Sequence, residues 1–133
     1  MSGEKNVEAW VKYLILIYNN PARQQFWEGL SQAQRIEATR GYAALNEDLA
    51  ASGEVIVHEA LADPSQAKRV TVHGDKTMTT DGPFAEVKEH LAGFYLIECE
   101  NIDRAIEHAA RIPEAAYGLV EVRPVMDLSG LGL

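Results

Sequence analysis

Lys12-Tyr-Leu-Ile-Leu-Ile-Tyr18 is the stretch on which the fold turns. It is short, apolar at each position after Lys12 and rich in β-formers, and Asn19-Asn20-Pro21 halts it. Such a run reads as a strand buried on both faces. Outward from it comes a polar stretch and then Ser31-Gln-Ala-Gln34. There Ser31 can accept from the backbone N–H three residues on while Gln34 reaches back, which makes a capping box. Ala38, Tyr42, Leu45 and Leu49 then recur at spacings of four, three and four, one apolar stripe along a helix. Gly53 supplies a left-handed stop. The spacing predicts one helix over 32–52.

Residues 54–61 hold Val55, Ile56 and Val57 and read as a strand, closed by the turn Asp63-Pro64-Ser65. Residues 68–73 alternate, Gly74-Asp75 makes a two-residue loop, and 76–80 return, so a hairpin is expected. Asp81-Gly82-Pro83 is a turn, and 84–90 read as a link with room for one helical turn. Residues 91–98 form another strand. Asn101 or Asp103 can cap a second helix running to about Ile112, with Ala105, Ile106 and Ala109 inward and Pro113 at its end. Residues 118–125 are the last strand, and 126–133 form a loose or partner-docked tail.

With the hairpin set aside, this order is β-α-β-β-α-β, an α+β ferredoxin-like fold in a single domain. Two helices cover one face of the antiparallel sheet and leave the other open. In the last strand Val120 and Val122 should pack under the helices, while Glu121 and Arg123 lie on the open face. The first strand brings apolar side chains to both faces, so a face-to-face homodimer enclosing a partly polar chamber is expected.

Composition narrows the function classes. Lys and Arg total 12 against 20 Asp and Glu, a net charge of −8, which disfavours nucleic acid and anionic membranes as partners. The apolar run from Tyr13 to Tyr18 is far below the roughly 20 residues of a membrane helix. Met1 to Val7 is polar and lacks a signal-peptide core, and Cys99 is alone, so a reducing cytoplasm is expected. His58, His73, His90 and His108 have no metal-ligand spacing, and no phosphate loop or nucleophile elbow occurs, so neither a metal nor a cofactor is expected. Of the histidines, His58 can reach a cleft from its strand, and His108 reads as exposed. Cys99 reads as a buried inert thiol.

Asp81-Gly-Pro-Phe-Ala-Glu-Val-Lys-Glu89, followed by Gly93-Phe-Tyr95, resembles the DGPF branch of the YCII-related family. Lys12 to Tyr18 resembles that family's first strand, Ala105 to Pro113 its second helix and Val120-Glu-Val-Arg-Pro-Val125 its closing strand. The likeness covers about 11–125. It implies a dimeric α+β barrel of ferredoxin-like halves. Muconolactone isomerase and several monooxygenases resemble the same architecture, which permits enzymes without naming a reaction. Some members of the branch are encoded beside extracytoplasmic-function sigma factors, which implies a regulatory setting. The YciI-like branch is thought to use a His–Asp pair with the His on the first helix. Tyr42 stands at that position here, and Tyr117 stands where a His often precedes the glycine of the last strand.

Asp81 is the leading candidate for a catalytic carboxylate, although its Gly-Pro context equally suits a turn aspartate that accepts backbone N–H groups. Tyr42 lies on the apolar stripe of the first helix. Its hydroxyl needs a partner if buried and would donate to a ligand or to Asp81. Arg123 can grip a substrate carboxylate in two-point fashion or simply pair with Glu121 at a dimer interface. Glu86 belongs to the motif but also to a charge run that would ordinarily be solvated. Tyr18 and Tyr95 end or line strands and could donate likewise, and Tyr18 is a further substrate-binding candidate. Three functions are compatible with this set. One is a small-molecule enzyme working by acid–base chemistry with Asp81 as carboxylate, Tyr42 as proton donor or orienting group and Arg123 as anchor. Another is a non-catalytic ligand-binding or accessory protein linked to sigma-factor regulation. The third is a structural dimer whose motif only shapes the fold. The enzyme is the leading reading, with the accessory protein as its alternative.

Overall fold

The computed structural model describes residues 9–133, so the polar stretch 1–7 lies outside the described residues. Its main sheet has four antiparallel strands: β1 (Val11–Asn19), β2 (Val55–Ala60), β5 (His90–Cys99) and β6 (Val120–Pro124), in the order β2-β5-β1-β6. That order, with helices between β1 and β2 and between β5 and β6, is the expected ferredoxin-like arrangement. The hairpin of β3 (Lys68–His73) and β4 (Lys76–Asp81) forms a separate sheet whose residues are all exposed. Pro124 ends β6, which is an edge strand and therefore tolerates the missing N–H.

The helical segment between β1 and β2 departs from the expected single helix. Asn19-Asn20-Pro21 stops β1, but it also starts α1 (Pro21–Glu28). The Asn20 side chain accepts from the Arg23 N–H at 2.9 Å, and proline sits where its missing donor is harmless. The capping box at Ser31 forms as expected and opens α2 (Gln32–Ala38). The helix then breaks at Thr39, whose hydroxyl donates back to the Ile36 carbonyl at 2.9 Å, and resumes as α3 (Arg40–Ser52). Gly53, at φ 75°, ends α3 in the left-handed conformation that glycine adopts without strain.

Tyr13, Ile15 and Ile17 of β1 and Tyr95, Ile97 and Cys99 of β5 meet Leu45 and Leu49 of α3 in one core. From β6, Val120 and Val122 join that core, while Glu121 and Arg123 project from the opposite face, as the alternation requires. On α4 (Ile102–Ala109), Ala105 and Ala109 are buried as expected, but Ile106 is 49% exposed and His108 only 3%. The inward positions are 105, 108, 109 and 112, a stripe spaced by three, one and three that leaves 106 a quarter-turn away. The expectation of an exposed His108 is thereby corrected: its Nε2 lies 3.0 Å from the carboxylate of buried Glu54.

On the uncovered face, Leu14 and Leu16 of β1 stand beside Leu96 and Phe94 of β5. Leu14, Phe94 and Leu96 remain partly exposed there.

Candidate functional site

The candidate residues fall into three places. Asp81 ends β4 in solvent and accepts from Lys68 Nζ at 2.5 Å. Glu86 pairs with Arg69, whose guanidinium lies 4.0 Å from the centroid of the Phe84 ring. The hydrogen bond from Arg69 holds the Glu86 carboxyl below its ordinary range. The segment 81–86 is thus clamped to β3 through the carboxylates of Asp81 and Glu86.

Tyr18, Glu121 and Arg123 are brought together on the uncovered sheet face. The Tyr18 hydroxyl donates to Glu121 Oε1 at 3.0 Å, and Arg123 Nε lies 3.6 Å from Glu121 Oε2. Glu121 and Arg123 are both exposed, so this pair contributes little to stability.

Tyr42 belongs to a third group, in the layer between helices and sheet. Its partner is Glu114 rather than Asp81. Glu114 sits in the short 3-10 turn Pro113–Tyr117 that follows α4. The first turn of α3 lies against that segment: a Cβ on Gly41 would make an ordinary contact, 3.6 Å from Pro113 Cγ. Arg111 and Asp48, 2.7 Å apart, tie the same two elements together. One turn beyond Tyr42, Asn46 accepts from the Tyr95 hydroxyl at 2.5 Å. The His58 ring of β2 stacks on Tyr95, with centroids 5.0 Å apart and planes inclined by 20°. Two phenols, a carboxylate, an amide and an imidazole therefore share one region.

The electrostatics make both phenols donors. Burial raises the Tyr42 pKa, and the hydrogen bond and negative charge of Glu114 raise it further. Burial likewise raises Tyr95, with the charge of Glu114 adding to it. Neither gives up its proton in the neutral range. Glu114 and Asn46 escaped sequence reasoning because their contacts span 72 and 49 residues; Tyr95 was legible as a candidate donor on its strand, but its partner Asn46 was not. The one local signal was the four-residue spacing of Tyr42 and Asn46 on a helix, and nothing in the chain flags Glu114.

Comparison with known proteins agrees with this architecture. The model of the YCII-related domain matches residues 11–129. An uncharacterized protein of Rhizobium meliloti (strain 1021) is 31% identical over 115 residues, spanning 85% of this chain and 90% of that protein. No helix among the described residues is long and apolar enough to cross a membrane. With its two-helix-covered sheet and a match over nearly the whole chain, this protein belongs to the YCII-related family.

Proposed function

We propose that this protein is a cytoplasmic, DGPF-type small-molecule enzyme that works by acid–base chemistry at the Tyr42–Glu114 pair. The observation that carries the reading is a half-buried phenol held against a half-buried carboxylate, beside Tyr95 and His58. Glu114 takes the part that the motif suggested for Asp81, whose own carboxylate is paired with Lys68 in solvent. The Glu114 carboxylate removes a proton from a carbon next to a carbonyl. With substrate bound, Tyr42 turns its single O–H from Glu114 to the oxygen on which charge develops, and the abstracted proton returns to carbon from Glu114.

Such chemistry exchanges hydrogen with solvent even when no net reaction follows. With a panel of aldehydes, ketones and 2-oxo acids in D2O, the wild-type protein should wash deuterium into at least one compound, read by proton NMR. Tyr42→Phe and Glu114→Gln should each slow that exchange by about a hundredfold or more while remaining folded. Exchange that persists undiminished in both variants rules out the pair. Saturable binding with no exchange by the wild type points to the non-catalytic accessory reading. The clamping of Asp81 and Glu86 into surface ion pairs supports the remaining reading, a structural dimer whose motif shapes the fold.

A second copy completes the fold in this proposal. Leu14, Phe94 and Leu96, with the buried Leu16 beside them, form an apolar patch on the sheet face opposite the α3 and α4 core, rimmed by Tyr18, Glu121 and Arg123. Leu96→Lys should turn a dimer into a monomer in light scattering, with the circular dichroism spectrum unchanged. A wild-type protein that is itself monomeric at tens of micromolar would remove the barrel from the proposal.

A further inference from the structure

A cavity of about 430 Å³ opens at the far end of the sheet, and it shares no lining residue with the Tyr42 cluster. Its walls come from the end of β1, the start of α1, the turn after β2, the Asp-Gly-Pro turn and the start of β5. The Asp-Gly-Pro turn is pressed onto the Pro64 turn. The Gly82 N–H donates to the Ala67 carbonyl at 2.8 Å, and a Cβ on Gly82 would fall 2.4 Å from the Pro64 carbonyl oxygen. Only glycine permits that approach, and it sets Pro64 and Pro83 together in the wall. Within the wall, the Leu61 N–H donates to the Ala92 carbonyl at 2.8 Å, continuing the β2–β5 pairing. Three prolines and these ties make the cavity preformed, so little ordering opposes binding.

The lining selects by charge and shape. It contains no Lys or Arg, holds the Asp63 carboxylate and belongs to a chain of net charge −8, so an anionic ligand is disfavoured. The nearby amides are already engaged: Asn19 Nδ2 donates to Gln24 Oε1 at 2.8 Å, Gln24 Nε2 to Glu28 Oε1 at 3.1 Å, and Asn20 Oδ1 accepts from the Arg23 N–H. Asp63 accepts from the Ser65 N–H through Oδ1, which leaves its second oxygen available. The His90 imidazole is also in the wall, close enough to Asp63 for the two to interact electrostatically, and it makes no side-chain hydrogen bond among the described residues; an imidazole nitrogen can accept one. Trp27 offers an indole, steadied by Arg35, whose guanidinium lies 5.5 Å from the ring and whose Nε donates to the Trp27 carbonyl at 3.2 Å.

We propose that this cavity is a binding site for a small aromatic cation, held by contact with Trp27 and by the Asp63 carboxylate. An aromatic ring fills the proline- and leucine-lined space. Its positive charge meets Asp63 and the indole face, and its N–H groups meet His90. The Asp-Gly-Pro motif then matters for the wall it builds rather than for its carboxylate.

Benzamidine and benzoate test this directly, because they share a ring and differ in the sign of charge. Calorimetric titration of the full chain should show saturable benzamidine binding and far weaker benzoate binding. Asp63→Asn should weaken benzamidine by about tenfold or more, the scale of one lost charge-assisted contact. Asparagine still caps the Ser65 turn, so that variant keeps its fold. Trp27→Leu should abolish the binding. Benzoate binding as tight as benzamidine, no saturable benzamidine binding, or affinity unmoved by Asp63→Asn each overturns the assignment. Because the two sites share no residue, failure here and failure of the proton-exchange test are separate results.

Discussion

Glu54→Ala is expected to lower the free energy of unfolding by about 3–5 kcal/mol, read as a fall in the urea midpoint with an unchanged slope. Glu54 is 2% exposed at the junction of α3 and β2. Its carboxylate receives Arg104 Nη2 at 2.9 Å and Nε at 3.0 Å, and it lies 3.0 Å from His108 Nε2. Its backbone carbonyl accepts from the Glu98 N–H at 2.8 Å. The residue therefore binds α4 to both β2 and β5. Removing it leaves His108 buried without its partner and Arg104 with only Glu107. Burial by itself would raise the Glu54 pKa, but hydrogen bonds from Arg104, Ser52 and His108 outweigh it and lower the pKa from 4.5 to about 2. A depressed carboxyl pKa stabilises the fold above the unfolded value and loses that effect as pH falls through the folded one. The contribution, about 3 kcal/mol for a shift of this size, is thus full above pH 4.5 and drains away towards pH 2. Glu54→Gln should flatten that acid limb. An acid limb identical to the wild type's would show that the network is not the source.

Leu45→Ala should cost about 3–5 kcal/mol by the same measurement. Leu45 is fully buried on α3 against the sheet. By itself the helix is weak: its N-cap, Thr39, makes no side-chain capping bond, and 13 residues is marginal for an isolated helix in water. Packing of Leu45 and Leu49 therefore orders it, together with the polar ties of Tyr42, Asn46 and Asp48. Leu45 also lies three residues after Tyr42, so the cavity left by the truncation sits directly beneath the proposed acid–base pair. Loss of proton exchange in Leu45→Ala at temperatures where the protein is still folded would show that α3 positions Tyr42. Thr39→Ala, by contrast, should change stability only slightly, because no cap is lost.

These two variants mark where the stability of the fold lies, and neither touches the Asp-Gly-Pro motif that dominates the sequence. The motif's charges are exposed and paired with Lys68 and Arg69, where each pair is screened by solvent. Its consequential residue is Gly82, through the close approach to Pro64. On the proposal above, the motif acts through the wall that Gly82 and Pro83 build, and the ligand chemistry belongs to the nearby residues Asp63 and His90.

What the chain determined by itself is local or periodic. The run from Lys12 to Tyr18 forms β1, the 68–81 alternation forms the hairpin, the Ser31–Gln34 pair caps α2, and the valines and charges of β6 take opposite faces. Each follows from contacts within a few residues or from the period of the backbone. What only the tertiary structure decided is pairing at long range. Glu54 with His108, Tyr42 with Glu114, and Tyr95 with Asn46 are partnered across 54, 72 and 49 residues. A buried polar group must find a partner somewhere, but one-dimensional spacing does not say where. That choice is made by how α3 and α4 cross the sheet. It turned His108 from an exposed residue into a core one and moved the partner of Tyr42 from the motif to a turn that carried no signal.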